Sequence, residues 1–317
     1  MASVVVVVGS FNVDHVWTCD ALPRPGETRA GAYASGPGGK GFNQATASAR
    51  AGAATTFICA LGDDPGGALA RGLAAGDGID LRAQHAAAPT GTAGIYVDRD
   101  GRNSIVIGAG ANGELSAAFV SAQGAAIAAA AVVLAQLESP VDSVLEALRI
   151  ARAARATTLL NPAPANVSAP RELLAAADVL TPNETEFAAL LARHCDDDID
   201  ADAVVRSDDA QLHRLCRALL PRGTVVVTLG AAGAFVSHRE DQLRGDALAF
   251  YRCPATRVEV VDTTGAGDAF NGALAASLAR GAATPFAAHV AFACRYAGEA
   301  TRLPGAASAM PRLPADA

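Results

Sequence analysis

The run VEVVDTTGAGDAFNGALAASLARG, residues 258–281, changes period half-way along, and the rest of the chain is best read outward from that change. Val258, Val260 and Val261 are β-branched and predict a buried strand, whereas Ala269, Phe270, Ala273, Leu274 and Leu278 recur at helical spacing. The switch falls at Thr263–Gly267. Gly265 and Gly267 let the backbone turn tightly with no side chain above it, so the first N–H groups of the helix point outward without partners. Such an end attracts anions. Asp268 adds a carboxylate in the helix's first turn, where the dipole keeps it ionised and able to accept a proton. The competing reading is plainer: Asp268 favours a helix start and the glycines turn the chain. Arg280 in the last turn and Gly281 beyond it close the helix.

The 317 residues are 51% hydrophobic, enough for one large α/β domain or two small ones. Lys+Arg 25 against Asp+Glu 32 gives a formal charge of −7, which does not invite nucleic acid or an anionic membrane. The six cysteines form no C-x-x-C pair or Cys/His cluster, so a zinc site is not expected and reduced cytosolic thiols are. MASVVVVVGS lacks a basic start and is too short to span a bilayer; it reads as a first strand, and the protein as cytoplasmic. Ala122–Ala135 reads as a helix running into a buried strand.

Val4–Val8 is a continuous apolar run, as in a strand covered on both faces of a parallel sheet, and Asn12 and Asp14 stand just past its end, where open α/β sheets bind ligands or where an Asx turn would sit. Val16–Gly36 and Gly91–Gly108 show no helical period; the second surrounds Asp100-Gly101, a hairpin signal, and the two predict a small separate sheet. Between them GPGGKGFNQ (36–44) opens a helix through Arg50. Its letters fit G-x-G-x-x-G, but it does not follow the first strand directly, so a dinucleotide fold is not the reading. No G-x-x-x-x-G-K-[ST] occurs.

Strands at Thr55–Ala60, Val132–Leu137, Thr157–Leu160 and Thr224–Leu229 alternate with helices at Gly66–Gly76, Val141–Ala153 and Ala287–Ala300, which predicts a doubly wound, mostly parallel sheet flanked by helices. Glu138 ends one strand as an acceptor for hydroxyls or a cap for the helix after Pro140. In TPNETE (181–186) Thr181 reads as an N-cap with Pro182 at N1 and Glu184 as capping-box partner; Asn183 and Glu186 on one face suit hydrated Mg²⁺ as well. His194–Asp209 reads as an exposed loop, as does Thr301–Ala306.

D-T-x-G-A-G-D-x-F at Asp262–Phe270 resembles the C-terminal signature of the ribokinase-like (PfkB) carbohydrate kinases. G-S-F-N-V-D, G-G-K-G-F-N-Q, Q-L-E-S-P, N-P-A-P-A, T-P-N-E-T-E and T-L-G precede it in the order of that family, most like its ribokinase branch. The resemblance implies a single domain over residues 1–317, with a β-sheet lid from about 14–37 and 91–109 that also joins a homodimer. It implies transfer of the ATP γ-phosphoryl group to the terminal hydroxyl of D-ribose. Asn12, Asp14, Gly39, Lys40, Asn43 and Glu138 would hold the sugar and Asp268 would be the base. The N–H groups of Gly265, Ala266 and Gly267 would form the anion hole; Asn183 and Glu186 would organise Mg²⁺, and Thr228, Leu229, Gly230 and Gly233 would line the nucleotide. A monovalent cation, K⁺ in this family, would lie by Asp262, the Thr264 carbonyl and carbonyls around Arg302 and Gly305. There the sequence departs from the G-A-x-x-S-x-P pattern: Ala309 takes the serine position and Ser308 stands one residue early. Kinases of the same fold acting on deoxyribose, fructose or a nucleoside remain alternatives, as does a non-catalytic sugar sensor, against which Asp268 and N-x-x-E argue.

Overall fold

The computed structural model describes residues 4–281 and 283–313. Its elements run β1 (Val4–Val8), β2 (Asn12–Cys19), β3 (Ala32–Gly38), α1 (Lys40–Arg50), β4 (Ala54–Leu61), α2 (Pro65–Gly76), β5 (Asp80–His85), β6 (Gly91–Asp98), β7 (Asn103–Gly108), α3 (Ala117–Ala122), α4 (Gly124–Ala128), β8 (Val132–Ala135), α5 (Val141–Ala153), β9 (Thr157–Leu160), α6 (Arg171–Ala175), β10 (Val179–Leu180), α7 (Glu184–His194), α8 (Ala201–Arg206), α9 (Asp209–Leu219), β11 (Thr224–Thr228), β12 (Ala234–Ser237), β13 (Phe250–Cys253), α10 (Ala266–Arg280) and α11 (Phe286–Ala300).

Nine strands form one sheet in the order β13-β12-β11-β10-β9-β8-β1-β4-β5. It is parallel from β11 to β5, and β12 and β13 are antiparallel at one edge. The apolar run of β1 explains its central place. Val6 and Val8 face one core, with Leu148, Phe187 and Leu212 from α5, α7 and α9; Val5 and Val7 face the other, with Phe42, Ala70, Leu274 and Val290 from α1, α2, α10 and α11. A strand whose two faces are both covered gains apolar burial at every residue, so it needs no alternation of polar and apolar side chains. Strand order reverses around β1, and the carboxyl ends of β1 and β8 open at that switch point, where α/β sheets bind their ligands.

The small sheet has the order β3-β2-β6-β7. It begins two residues before the expected start: Asn12 and Asp14 lie inside β2 and not in a turn, paired with Gly38 and Gly36 of β3.

Three expectations change. The valines at 258–261 form no strand; Val260 and Val261 are 56% and 62% exposed. β-branching favours an extended backbone but supplies no partner strand, and β13 already takes a sheet edge. The segment instead runs beside α11, where a side chain at Gly298 would meet Thr256 and Val258. His194–Asp209 contains α8, capped by Asp200 and held by buried Val204, so its charge marks a solvated helix face and not a loop. Ala122–Ala135 is, as expected, a helix (α4) running into buried β8, with Ala122 the last residue of the preceding α3. The cap of α7 is Asn183, not Thr181, and its reciprocal partner is Glu186, not Glu184, because Thr181 is drawn into buried hydrogen bonds.

Candidate active site

The first turn of α10 is built on Gly265, whose φ of 74° lies in the left-handed region that favours glycine. No side chain caps this end. The Ala266 N–H is committed to the Thr263 carbonyl at 3.1 Å, which removes it from the expected anion hole. The N–H groups of Gly265, Gly267 and Asp268 make no backbone hydrogen bond among the described residues, and the space above Gly267 is open. Those three, with the positive end of the helix dipole, can hold an anion.

Asp268 is buried, and both its oxygens are held. Asn43 Nδ2 donates to Oδ2 and Gln44 Nε2 to Oδ1, each at 2.9 Å. The contact depends on the close approach of α1 and α10. A side chain on Gly272 would stand 2.4 Å from the Gln44 carbonyl, so glycine is needed where the helices cross. Burial pushes the Asp268 carboxyl above the usual range; the Lys40 ammonium, Asn43 and Gln44 pull the other way.

The loop entering α1 joins Asp268 to the small sheet. Gly39, with φ 86°, brings backbone so close to the chain after β1 that a side chain would strike the Asn12 N–H and the Ser10 carbonyl. Glu138 is not the cap of α5, whose N-cap is Pro140 and which has no side-chain cap. Its Oε2 accepts from the Ser10 hydroxyl (2.6 Å) and the Lys40 N–H (2.9 Å). Asn12 Oδ1 accepts from Asn112 Nδ2 at 2.8 Å. Asp14 is pushed up to about 6 by burial, with Glu138 and Asp268 adding repulsion. Burial alone would lower Lys40, but the carboxylates of Asp268, Glu138 and Glu186 outweigh it. One ammonium therefore serves three buried or half-buried carboxylates. Asn43 Oδ1 and Ser139 Oγ are buried without a hydrogen-bond partner among the described residues.

The other turns meet this centre from the β10–β11 side. Asn183 Oδ1 accepts from the Glu186 N–H at 2.8 Å, and Glu186 Oε2 from the Asn183 N–H at 2.9 Å. Thr228 bridges to Asn183, and its N–H donates to the Pro182 carbonyl, so the turn Thr228–Gly233 lies beside N-x-x-E. Leu229 is buried there, with its N–H bonded to the Gly233 carbonyl. Asp262 accepts from Thr264 N–H and hydroxyl on Oδ1 and from the Gly305 N–H on Oδ2, which hold its carboxyl low against the opposing effect of burial. Ala309 is buried and offers no side-chain oxygen, while Arg302 is exposed and paired with Glu299.

The structure thus gathers Asn12, Asp14, Gly39, Lys40, Asn43, Glu138 and Asp268 into one place. Sequence reasoning assigned no role to Ser10, Gln44, Asn112, Gln136, Asn161 or Asn271, and gave Thr181 only that of a helix cap. For three of these a signal existed: Gln136, Asn161 and Thr181 each follow directly on the last residue of a strand, a position where a polar side chain faces the ligand end of the sheet.

The family model described as pfkB family carbohydrate kinase matches residues 2–313. The chain belongs to this family. A bifunctional ribokinase/ribose-5-phosphate isomerase A of Fructilactobacillus sanfranciscensis is 40% identical over 86% of this chain, which spans only 48% of that longer protein. A ribokinase of Haemophilus influenzae is 36% identical, over 88% of this chain and 86% of its own. The structure of an Arabidopsis thaliana ribokinase complexed with ribose and ATP superposes with a TM-score of 0.79 at 29% identity, covering 98% of this chain and 96% of that one. As a pfkB carbohydrate kinase the chain is a phosphotransferase with an alcohol group as acceptor, and its two-sheet architecture is that of its structural relatives.

Proposed function

We propose that the protein is an ATP-dependent ribose kinase in which Asp268 takes the proton from the terminal hydroxyl of D-ribose as that oxygen attacks the γ-phosphorus of ATP. The observation that carries this is the placing of a buried, doubly held carboxylate in the same helical turn as the open N–H groups of Gly265 and Gly267. Base and anion hole then act on opposite ends of the forming bond, and the rate gain comes from positioning and preorganised dipoles. Asp14 and Glu138 accept from sugar hydroxyls, the unpaired Asn43 Oδ1 gives a further acceptor, and Lys40, Asn12 and the Gly39 backbone complete the cradle. The small sheet that carries Asn12 and Asp14 is its lid.

ATP lies along Thr228, Leu229, Gly230 and Gly233, with its γ-phosphate at the α10 terminus. The residues fit Mg²⁺ held through phosphates and water. The capping box leaves Glu186 one carboxylate oxygen, and no group of three or more His, Cys, Asp or Glu among the described residues could cage a metal alone. When bound, Mg²⁺ neutralises phosphate charge. The monovalent cation fits only in part, because Asp262 is already engaged by three donors and Ala309 supplies no oxygen; no step passes through it. No described helix is long and apolar enough to cross a membrane; with six free cysteines and ATP as substrate we assign the protein to the cytoplasm, as a homodimer joined through the lid.

A screen of ribose, deoxyribose, fructose and nucleosides with MgATP tests the reading. Ribose gives the highest kcat/KM, with ribose 5-phosphate as product. Turnover confined to a nucleoside or a hexose overturns the substrate.

A further inference from the structure

Beneath Asp268 runs a buried belt of amides that the phosphoryl-transfer reading does not use. Gln44 is fully buried on α1. Its Nε2 donates to Asp268 Oδ1 at 2.9 Å and to Asn161 Oδ1 at 3.1 Å, and its Oε1 accepts from Gln136 Nε2 at 2.5 Å. Asn161 Nδ2 donates to the Thr181 carbonyl, the Thr181 hydroxyl to Asn271 Oδ1, and Asn271 Nδ2 to the carbonyl of Gly267, the residue before Asp268. Gln136, Asn161 and Thr181 directly follow β8, β9 and β10, three neighbouring parallel strands. The rigid sheet is therefore wired to both sides of the Asp268 turn.

The belt has one consistent orientation. Gln44 meets two acceptors on one side, so its NH₂ must point there and its carbonyl toward Gln136, which must then present its own NH₂. Reversing Gln44 would set its carbonyl oxygen against the Asp268 carboxylate. This orientation leaves Gln136 Oε1 buried without a partner among the described residues. An unpaired buried acceptor is destabilising, and a half-satisfied polar network serves stability less well than apolar packing, so stability alone does not account for the belt. Of its members, Gln44 alone touches Asp268 through a side chain.

We propose that Gln44 is a positioning residue for the kinase reaction: its Nε2 fixes the Asp268 carboxylate as an oriented proton acceptor, and Gln136 and Asn161 fix which end of Gln44 faces it. This rests on Asp268 being the general base. Gln44 and Asn43 donate to the ionised carboxylate and oppose the upward push of burial, so removing the Gln44 donor makes Asp268 bind its proton more tightly.

The test is Gln44→Met, which keeps length and apolar fit but removes donor and acceptor. The readouts are kcat/KM for ribose against pH and ribose affinity by calorimetry at pH 8. Loss of a hydrogen bond to a charged group displaces the acid limb upward by about one to two pH units. On the acid side of the limb the rate falls by about tenfold or more and recovers at higher pH, while affinity stays within about twofold, since uniform sugar binding is untouched. Gln136→Met, which does not touch Asp268, moves the limb the same way by less. A structural role would instead lower thermal stability or the rate at all pH values with the limb in place. A folded Gln44→Met protein with a wild-type acid limb overturns the proposal; if that variant does not fold, an unmoved limb in Gln136→Met overturns it. Asp268→Asn separates the two readings: near-normal turnover removes the general base and this proposal together, whereas an inactive Asp268→Asn beside an unmoved Gln44→Met limb removes this proposal alone.

Discussion

A carboxylate in a helix's first turn can act as base, cap or charge, and Asp268 is distinguished by what surrounds it. Asp268→Asn keeps its shape but cannot take a proton, so turnover falls by about 10² to 10⁴, the scale of general-base catalysis. A helix-start role would cost only about 0.3–1 kcal/mol of stability and leave the rate intact. Steady-state kinetics and thermal melts on the one variant separate these. Asp14 gives a second, pH-linked expectation. Its folded value, about 6, lies above its ordinary 3.8, so it favours folding fully only below pH 4, and that contribution is lost as pH rises through 6. Asp14→Asn therefore stabilises the ligand-free protein at pH 7–8, with the gain gone by pH 4. Ribose binding runs the other way. An ionised acceptor bonds a hydroxyl more strongly than a neutral one, so wild-type affinity weakens by about fivefold between pH 7 and 5. The same titration on Asp14→Asn is flat.

At the scale of elements, the site depends on α1 and α10 crossing with backbone almost in contact at Gly272. Gly272→Ala puts a methyl 2.4 Å from the Gln44 carbonyl and 2.9 Å from the Ser48 N–H. Overpacking costs about 1–3 kcal/mol, against up to about 1 kcal/mol from the better helix propensity of alanine. The larger effect is on rate. Forcing α1 away moves Asn43 and Gln44 off Asp268, and a displacement near 1 Å can cost about 10²-fold in turnover. A kcat within threefold of wild type would show that the crossing is not what sets the base.

Across the whole molecule, the small sheet leaves apolar surface in water. Ile105, Val106 and Ile107 on β7 are 50%, 68% and 52% exposed, and Tyr33 on β3 is 55% exposed. β7 and β3 are also the edges of that sheet, with main-chain groups free to pair. Light scattering at micromolar concentration is expected to give the mass of a dimer, and Val106→Lys that of a monomer. A monomeric wild-type mass would sink the lid-to-lid assembly.

Period and composition were enough to place β1, α5, β9 and the helix after Gly265, because helical spacing marks the two helices and short β-branched runs mark the two strands. They were enough, too, to mark Asp268, since a carboxylate directly after a Gly-x-Gly turn carries its chemistry locally. What local sequence cannot encode is which extended runs find partners. The valines at 258–261 look like strand but stay outside the sheet, because its edge was already occupied. The N-cap at Asn183 was missed for a related reason, since Thr181 is drawn off by contacts with Leu160 and Asn271 far along the chain. Gln44, Asn161 and Asn271 read as ordinary polar residues until folding brings positions 90 or more residues apart within hydrogen-bond reach. A hydrogen-bond network belongs to the packed structure, where burial gives each donor a single place to go, and so only the tertiary structure could decide it.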